Sequence, residues 1–114
     1  MPAVRGTLTR KSDIERLFAL GVAGRSHFLT VVARPVGTAD DPEGRVMVVA
    51  GRGIGSAVRR NRAKRVLREV VRRASGPWPG YHVAVIARPP ALAARPEDLD
   101  AALNAALKKA GVER

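Results

Sequence analysis

Between residues 57 and 74, Ala63, Val66, Leu67, Val70, Val71 and Ala74 recur at i, i+3, i+4, i+7, i+8 and i+11. That spacing is one face of an α-helix. Eight of the fifteen residues from Arg59 to Arg73 are basic, against a single acid, Glu69. A disordered basic tail has no reason to keep an apolar stripe, so the segment is a helix docked on a core with a cationic face outward. Asn61, Arg65, Arg68 and Arg72 lie opposite the stripe, with Lys64 on one flank and Arg62 and Arg73 on the other.

The charges are placed against the stability of the helix. Arg60–Lys64, Lys64–Arg68 and Arg68–Arg72 are like-charged i,i+4 pairs, each unfavourable by about 0.2–0.5 kcal/mol. Arg59, Arg60 and Arg62 fall in the first turns, where the helix dipole favours acids. Residues 96–110 follow the opposite pattern, with Glu97, Asp98 and Asp100 first and Lys108 and Lys109 last. A chain that uses the stabilising arrangement once and reverses it elsewhere points to an external counter-charge. Seven of the eight basic residues are arginine, whose planar fork suits phosphate.

Charge distribution supports that reading. The 114 residues carry a formal +11. From Arg52 to Arg73 there are nine basic residues and one acid, so +8 resides on 22 positions and +3 on the other 92. This is the footprint of a polyanion-binding surface on a nearly balanced domain. An apolar content of 46% argues against disorder of the whole chain, and the length suits one domain over residues 1–114. Without cysteine, a disulfide framework, a thiolate metal site and a cysteine nucleophile are excluded. The longest apolar stretches, Val46 to Ala50 and Val83 to Ala87, are too short to span a bilayer. With no signal pattern at the start, the expectation is a soluble cytoplasmic protein.

Ser12 and Glu15 fit a capping box, and Ile14, Leu17, Phe18 and Gly21 fall on one helix face, predicting a helix from about Asp13 to Leu20 that ends near Gly21 to Gly24. His27 to Val36 reads as a strand, joined by the turn-forming Gly37 to Gly44 to a second strand, Arg45 to Ala50. Their adjacency predicts an antiparallel hairpin, and Gly51 to Ser56 has room for one more short strand. After the basic helix and a turn at Ser75 to Gly80, Tyr81 to Arg88 reads as a central strand. A last helix starts at Pro96, with Leu99, Leu103, Ala106, Leu107 and Ala110 as its buried stripe and Gly111 as its terminator. The expected fold is α+β, an α-β-β-β-α-β-α sandwich with helices against a mixed sheet.

Ile54 to Glu69 closely resembles the signature of the bacterial ribonuclease P protein subunits, G-x-A-V-x-R-N-R-x-K-R-x-x-R-E. The matching residues are Gly55, Ala57, Val58, Arg60, Asn61, Arg62, Lys64, Arg65, Arg68 and Glu69. Asp13 and Phe18 in the first helix, Phe28 opening a strand, Arg45 opening the next and Val83 to Pro89 follow the family outline, over roughly Leu8 to Ala110. The resemblance implies a protein cofactor to a large catalytic RNA in the holoenzyme that removes the 5′ leader of precursor tRNA. It implies one copy per RNA, a left-handed β-α-β crossover around the basic helix, and hydrolysis by magnesium ions bound mainly to the RNA, so no catalytic side chain is expected here. Arg52, Arg59, Arg60, Asn61, Arg62, Lys64, Arg65, Arg68 and Arg72 are the residues expected to contact the catalytic RNA. Phe18, Phe28, Arg45 and Arg88 are those expected at a leader cleft between the sheet and the first helix. Ile14 and Val31 stand where aromatic residues often line that cleft.

Other motifs have plainer readings. Asp40, Asp41 and Glu43 form an acid cluster in the Gly37 to Gly44 segment and are expected to shape a turn. His27 and His82 show no partner arrangement, and Trp78 reads as a hydrophobic plug. Gly51 to Ser56 lacks the spacing of a phosphate-cradling P-loop and is read as a close approach to an RNA backbone. A ribosome-associated RNA binder fits the charge equally well. A DNA-binding regulator fits less well, because strands and a glycine loop stand where the first helix of a helix-turn-helix would be.

Overall fold

In the computed structural model, which describes residues 6–113, three helices enclose a four-stranded mixed sheet. The elements are α1 (Lys11–Leu20), β1 (Val22–Arg25), β2 (Leu29–Pro35), β3 (Arg45–Val49), α2 (Ala57–Arg73), β4 (Tyr81–Ala87) and α3 (Pro96–Lys109), with short 3₁₀ turns at Arg52–Ile54 and Pro89–Ala93. Strand order is β1-β2-β4-β3, with β3 and β4 parallel and the other pairs antiparallel. The α+β class and the mixed sheet are those expected from sequence, and β3-α2-β4 is the expected β-α-β unit.

Three local expectations are corrected. Strands β2 and β3 do not form a hairpin, because β4 lies between them. Val83, Ala84, Val85 and Ala87 are all buried, and a strand so uniformly apolar needs cover on both faces and both edges. The segment 36–44 is long enough to carry the chain past the gap that β4 fills. Residues 51–56 hold a 3₁₀ turn instead of a strand. The extra strand is β1, paired with β2 from Val22↔Ala33 to Arg25↔Thr30. Its sequence, VAGR, has no apolar alternation. Its pairing comes from the turn before β2, where the Ser26 amide donates to the Leu29 carbonyl (2.9 Å) and the Ser26 hydroxyl donates to the same oxygen (3.0 Å).

Helix α1 starts earlier than the capping box predicts. The Ile14 amide donates to the Arg10 carbonyl (3.1 Å), so Ser12 lies inside the helix, and the N-cap residue Arg10 makes no side-chain cap. Helix α2, by contrast, is capped by Ser56, whose hydroxyl accepts from the Arg59 amide (3.3 Å).

The sheet separates two apolar layers. On one face Leu29, Val31, Ala33, Val83 and Val85 meet Ala63, Leu67, Val70 and Val71 of α2 and Leu99, Leu103, Ala106 and Leu107 of α3. The stripes read from the sequence of both helices are these contacts. Trp78 plugs the end of this layer at 3% exposure, its indole donating to the Ala74 carbonyl (3.2 Å). On the other face, Leu8 and Leu17 pack on Val32 and Ala84, flanked by Ile14, Met47 and Ile86. The outer edge of β3 is covered as well: the Leu8 amide donates to the Val46 carbonyl (3.0 Å) and the Val46 amide to the Gly6 carbonyl (2.8 Å).

Gly24 is where β1 meets α3. A Cβ there would stand 2.1 Å from the Ala106 carbonyl oxygen, whereas one at Gly51 would meet nothing within 4 Å. Gly24→Ala therefore forces two backbones apart and is expected to cost about 1–3 kcal/mol, while Gly51→Ala stays within about 0.5 kcal/mol. Urea unfolding midpoints check both.

Candidate RNA interface

Helix α2 presents two kinds of basic residue. Arg59 and Arg60 fold back over the turn that precedes the helix. The Arg60 guanidinium donates to the Gly55 carbonyl (2.7 Å), and the Arg59 side chain lies against Gly55, within 3.0 Å of where a Cβ would stand. Gly55 has φ +126°, a conformation that L side chains rarely adopt. Residues 51–56 are thus held against the helix start by its own arginines, and the loop and the first turn form one surface.

Farther along, Arg72 is paired with Glu69. That hydrogen bond holds the Glu69 carboxyl below its ordinary range and raises Arg72. Arg73 reaches α3, its guanidinium 2.9 Å from Asp100. Arg52, Arg59, Arg62, Lys64, Arg65 and Arg68 remain with no carboxylate within 4 Å among the described residues. Asn61 is exposed beside them. Of the nine residues expected at the RNA from sequence, Arg72 is internally neutralised and Arg60 is engaged with its own loop. Val58, in the first turn, is 78% exposed and adds an apolar spot to this face.

The four residues expected at a leader cleft are not gathered in one place. Phe18 stands 47% exposed on α1. Phe28 packs against the core layer on the α2–α3 side, with the His27 ring edge-on at 4.9 Å. Arg45 opens β3 opposite His82. Arg88 lies beyond the other end of β4, donating to the Ser26 carbonyl (2.7 Å), about 20 Å from His82 at strand rise.

At the Arg45 end, sequence reasoning missed a network. Asp41 accepts from Arg45 Nε at 2.9 Å and lies 3.0 Å from His82 Nε2, while its carbonyl accepts from the amides of Gly44 (3.2 Å) and Gly80 (3.1 Å). Burial raises the Asp41 carboxyl, but the hydrogen bonds from His82 and Arg45 outweigh it and hold the group below its ordinary 3.8. Asp41 and His82 are 41 positions apart, and no local signal joins them. Their meeting follows only from the register that sets Arg34 and Arg45 opposite His82. The network borders a cavity of about 570 Å³ between α1 and the sheet, lined also by Arg10, Asp13, Arg16, Arg34 and Asp40. Among the described residues, no three carboxylate or imidazole groups converge as a metal site requires.

Comparison with known proteins places this geometry. The sequence model of the family Ribonuclease P matches residues 3–111. The ribonuclease P protein component of Corynebacterium diphtheriae is 40% identical over 98 residues, covering 81% of this chain and 81% of its own. That of Thermus scotoductus is 42% identical over 92 residues, covering 81% and 52%. The chain spans about half the length of the Thermus relatives it matches. Among solved structures, the RNase P protein from Thermotoga maritima superposes with a TM-score of 0.75 at 26% identity, over 96% of this chain and 100% of that one. The Staphylococcus aureus protein shares the fold with a TM-score of 0.78 at 22% identity, over 97% and 100%.

Two predictions follow from the side-chain partners. Arg65→Ala removes a free cation and is expected to weaken RNA binding with stability within about 0.5 kcal/mol of wild type. Arg60→Ala also frees the Gly55 carbonyl and is expected to cost about 1 kcal/mol in addition, read from parallel binding and urea titrations. For Asp41, a carboxyl depressed in the folded state stabilises above its unfolded value and loses that contribution as pH falls through the folded one. The stability advantage of wild type over Asp41→Asn is therefore expected at pH 7 and should shrink below about pH 3.8, measured by urea midpoints at both ends.

Proposed function

The chain belongs to the ribonuclease P protein family, and we propose on that premise that it is the protein subunit of a ribonuclease P. In this reading it binds the catalytic RNA through α2 and the preceding loop. It binds the 5′ leader of precursor tRNA on the α1 face of the sheet, promoting leader removal in the cytoplasm as one copy per RNA subunit. The observation that carries it is the set of six cations without a carboxylate partner among the described residues, five on α2 and Arg52 in the turn before it, on a helix whose other side is anchored in the core. Hydrolysis is assigned to magnesium ions held mainly by the RNA. The task left to the protein is to bring two RNA segments to opposite faces of one sheet and neutralise their phosphates.

Reconstitution tests the reading directly. Added to a bacterial ribonuclease P RNA at low magnesium, the protein is expected to raise the rate of leader cleavage of precursor tRNA. No gain would overturn the assignment. If the six cations each neutralise a phosphate, the log–log dependence of RNA affinity on salt should have a slope of about −4 on the single-strand coefficient. A slope near zero would show that α2 does not work as an electrostatic surface.

A further inference from the structure

We propose that the groove between α2 and the start of α3 is a nucleobase pocket, in which Arg62 holds the phosphate and Glu69 the base edge of one unstacked guanine nucleotide of the RNA. The proposal rests on the functional reading, which supplies the RNA, and adds to it a subsite that reads a base. A free guanine nucleotide has the same chemistry, and the arms of the experiment separate the two sources.

Arg62, Val66, Glu69 and Arg73 recur at i, i+4, i+7 and i+11, so they follow one flank of α2. With Leu92 of the 3₁₀ turn before α3 and Leu99 of α3, they line a cavity of about 260 Å³. Leu99 is buried, while Val66 and Leu92 are half-buried, so apolar surface stands open to solvent between the two helices. The facing wall is short, because Ala91 and Ala94 have no atoms beyond Cβ with which to close the gap.

The charged groups along this flank differ in what they have left to offer. Arg62 has no carboxylate within 4 Å among the described residues. Arg73 is held by Asp100, so Arg62 is the one cation of the wall without a partner, which suits a single phosphate. Glu69 pairs with Arg72, but each carboxylate oxygen has a second lone-pair direction for another donor. Arg62 and Glu69 are seven residues apart, about 10 Å at helical rise, with the apolar Val66 between them. A nucleotide has the three matching parts: a phosphate, a flat apolar face and an edge of N–H donors. Among the bases, guanine carries two adjacent donors, at N1 and N2, that can meet both oxygens of one carboxylate. Unstacked bases are recognised in this way, by packing on the face and hydrogen bonds on the edge. Arg62 also belongs to the cationic surface of α2, so a strand lying on that surface has a base within reach of the cavity.

The test follows the methyl signals of Val66, Leu92 and Leu99 in the ¹³C-labelled full chain during titration with 5′-GMP and, separately, with 5′-UMP. Shifts that saturate at millimolar GMP, are weaker with UMP and disappear in Ala94→Phe, which fills the cavity, are the expected result. Saturation at micromolar GMP would make the free nucleotide the occupant and overturn the RNA assignment. Equal shifts with both nucleotides overturn the guanine assignment, and silence with both overturns the pocket. Glu69→Gln, on the exposed side of α2, is expected to lose the preference for GMP, so the outcome does not depend on how well Ala94→Phe folds. In binding to a bacterial ribonuclease P RNA, Ala94→Phe is expected to lower affinity about tenfold with the salt dependence unchanged, because it removes no charge. Arg62→Gln is expected to flatten the log–log salt slope by about 0.7. Wild-type affinity in an Ala94→Phe protein that melts like wild type overturns the pocket. A wild-type protein that gives no stimulation of leader cleavage overturns the functional reading. Stimulation by wild type with silent methyl signals overturns this pocket alone.

Discussion

The burial of β4 is the constraint on which the rest of the molecule depends. Its apolar run is satisfied only when β2 pairs along one edge, β3 along the other, and helices cover both faces. With β3 parallel to β4, the chain between them has to cross from one end of the sheet to the other, and α2 is that crossing. The same insertion separates β2 from β3, sends residues 36–44 around the end of β4, and brings Asp41 to His82.

Anchoring α2 in this way lets it carry a charge pattern that would disfavour an isolated helix. Each like-charged pair costs only a few tenths of a kcal/mol, and burying a side chain the size of Leu67 or Val70 contributes about 1.5–3 kcal/mol. The stripe therefore outweighs the repulsion, and the cations remain available at the surface. Local pairing then sorts them. Glu69 compensates Arg72 and Asp100 compensates Arg73 at the C-terminal end, while the basic residues from Arg59 to Arg68 have no carboxylate partner among the described residues. The charge left for a partner is concentrated where the helix dipole is positive and the backbone turn is tightest.

The sheet also explains why the two faces were unequally legible. Every α2 residue that matters is within one segment, so spacing alone assigned its stripe and its exposed side, and the family signature lies in the same span. On the α1 face, the grouped side chains come from α1, β2, β3, β4 and the loop, and their positions in sequence carry no common period. Phe28 illustrates the difficulty: the family resemblance implied a place at the cleft beside α1, but the side chain packs against the other layer.

The amino-acid sequence by itself determined the two amphipathic helices, the central apolar strand, the basic surface and the family, because each depends on periodicity or on residues close together in the chain. Tertiary structure alone decided that β1 exists, that β4 parts β2 from β3, and that Arg10, Arg16, Arg34 and His82 share a cavity. Those outcomes depend on which strand edges meet, a competition among distant segments to cover one buried strand, and no local pattern records its result.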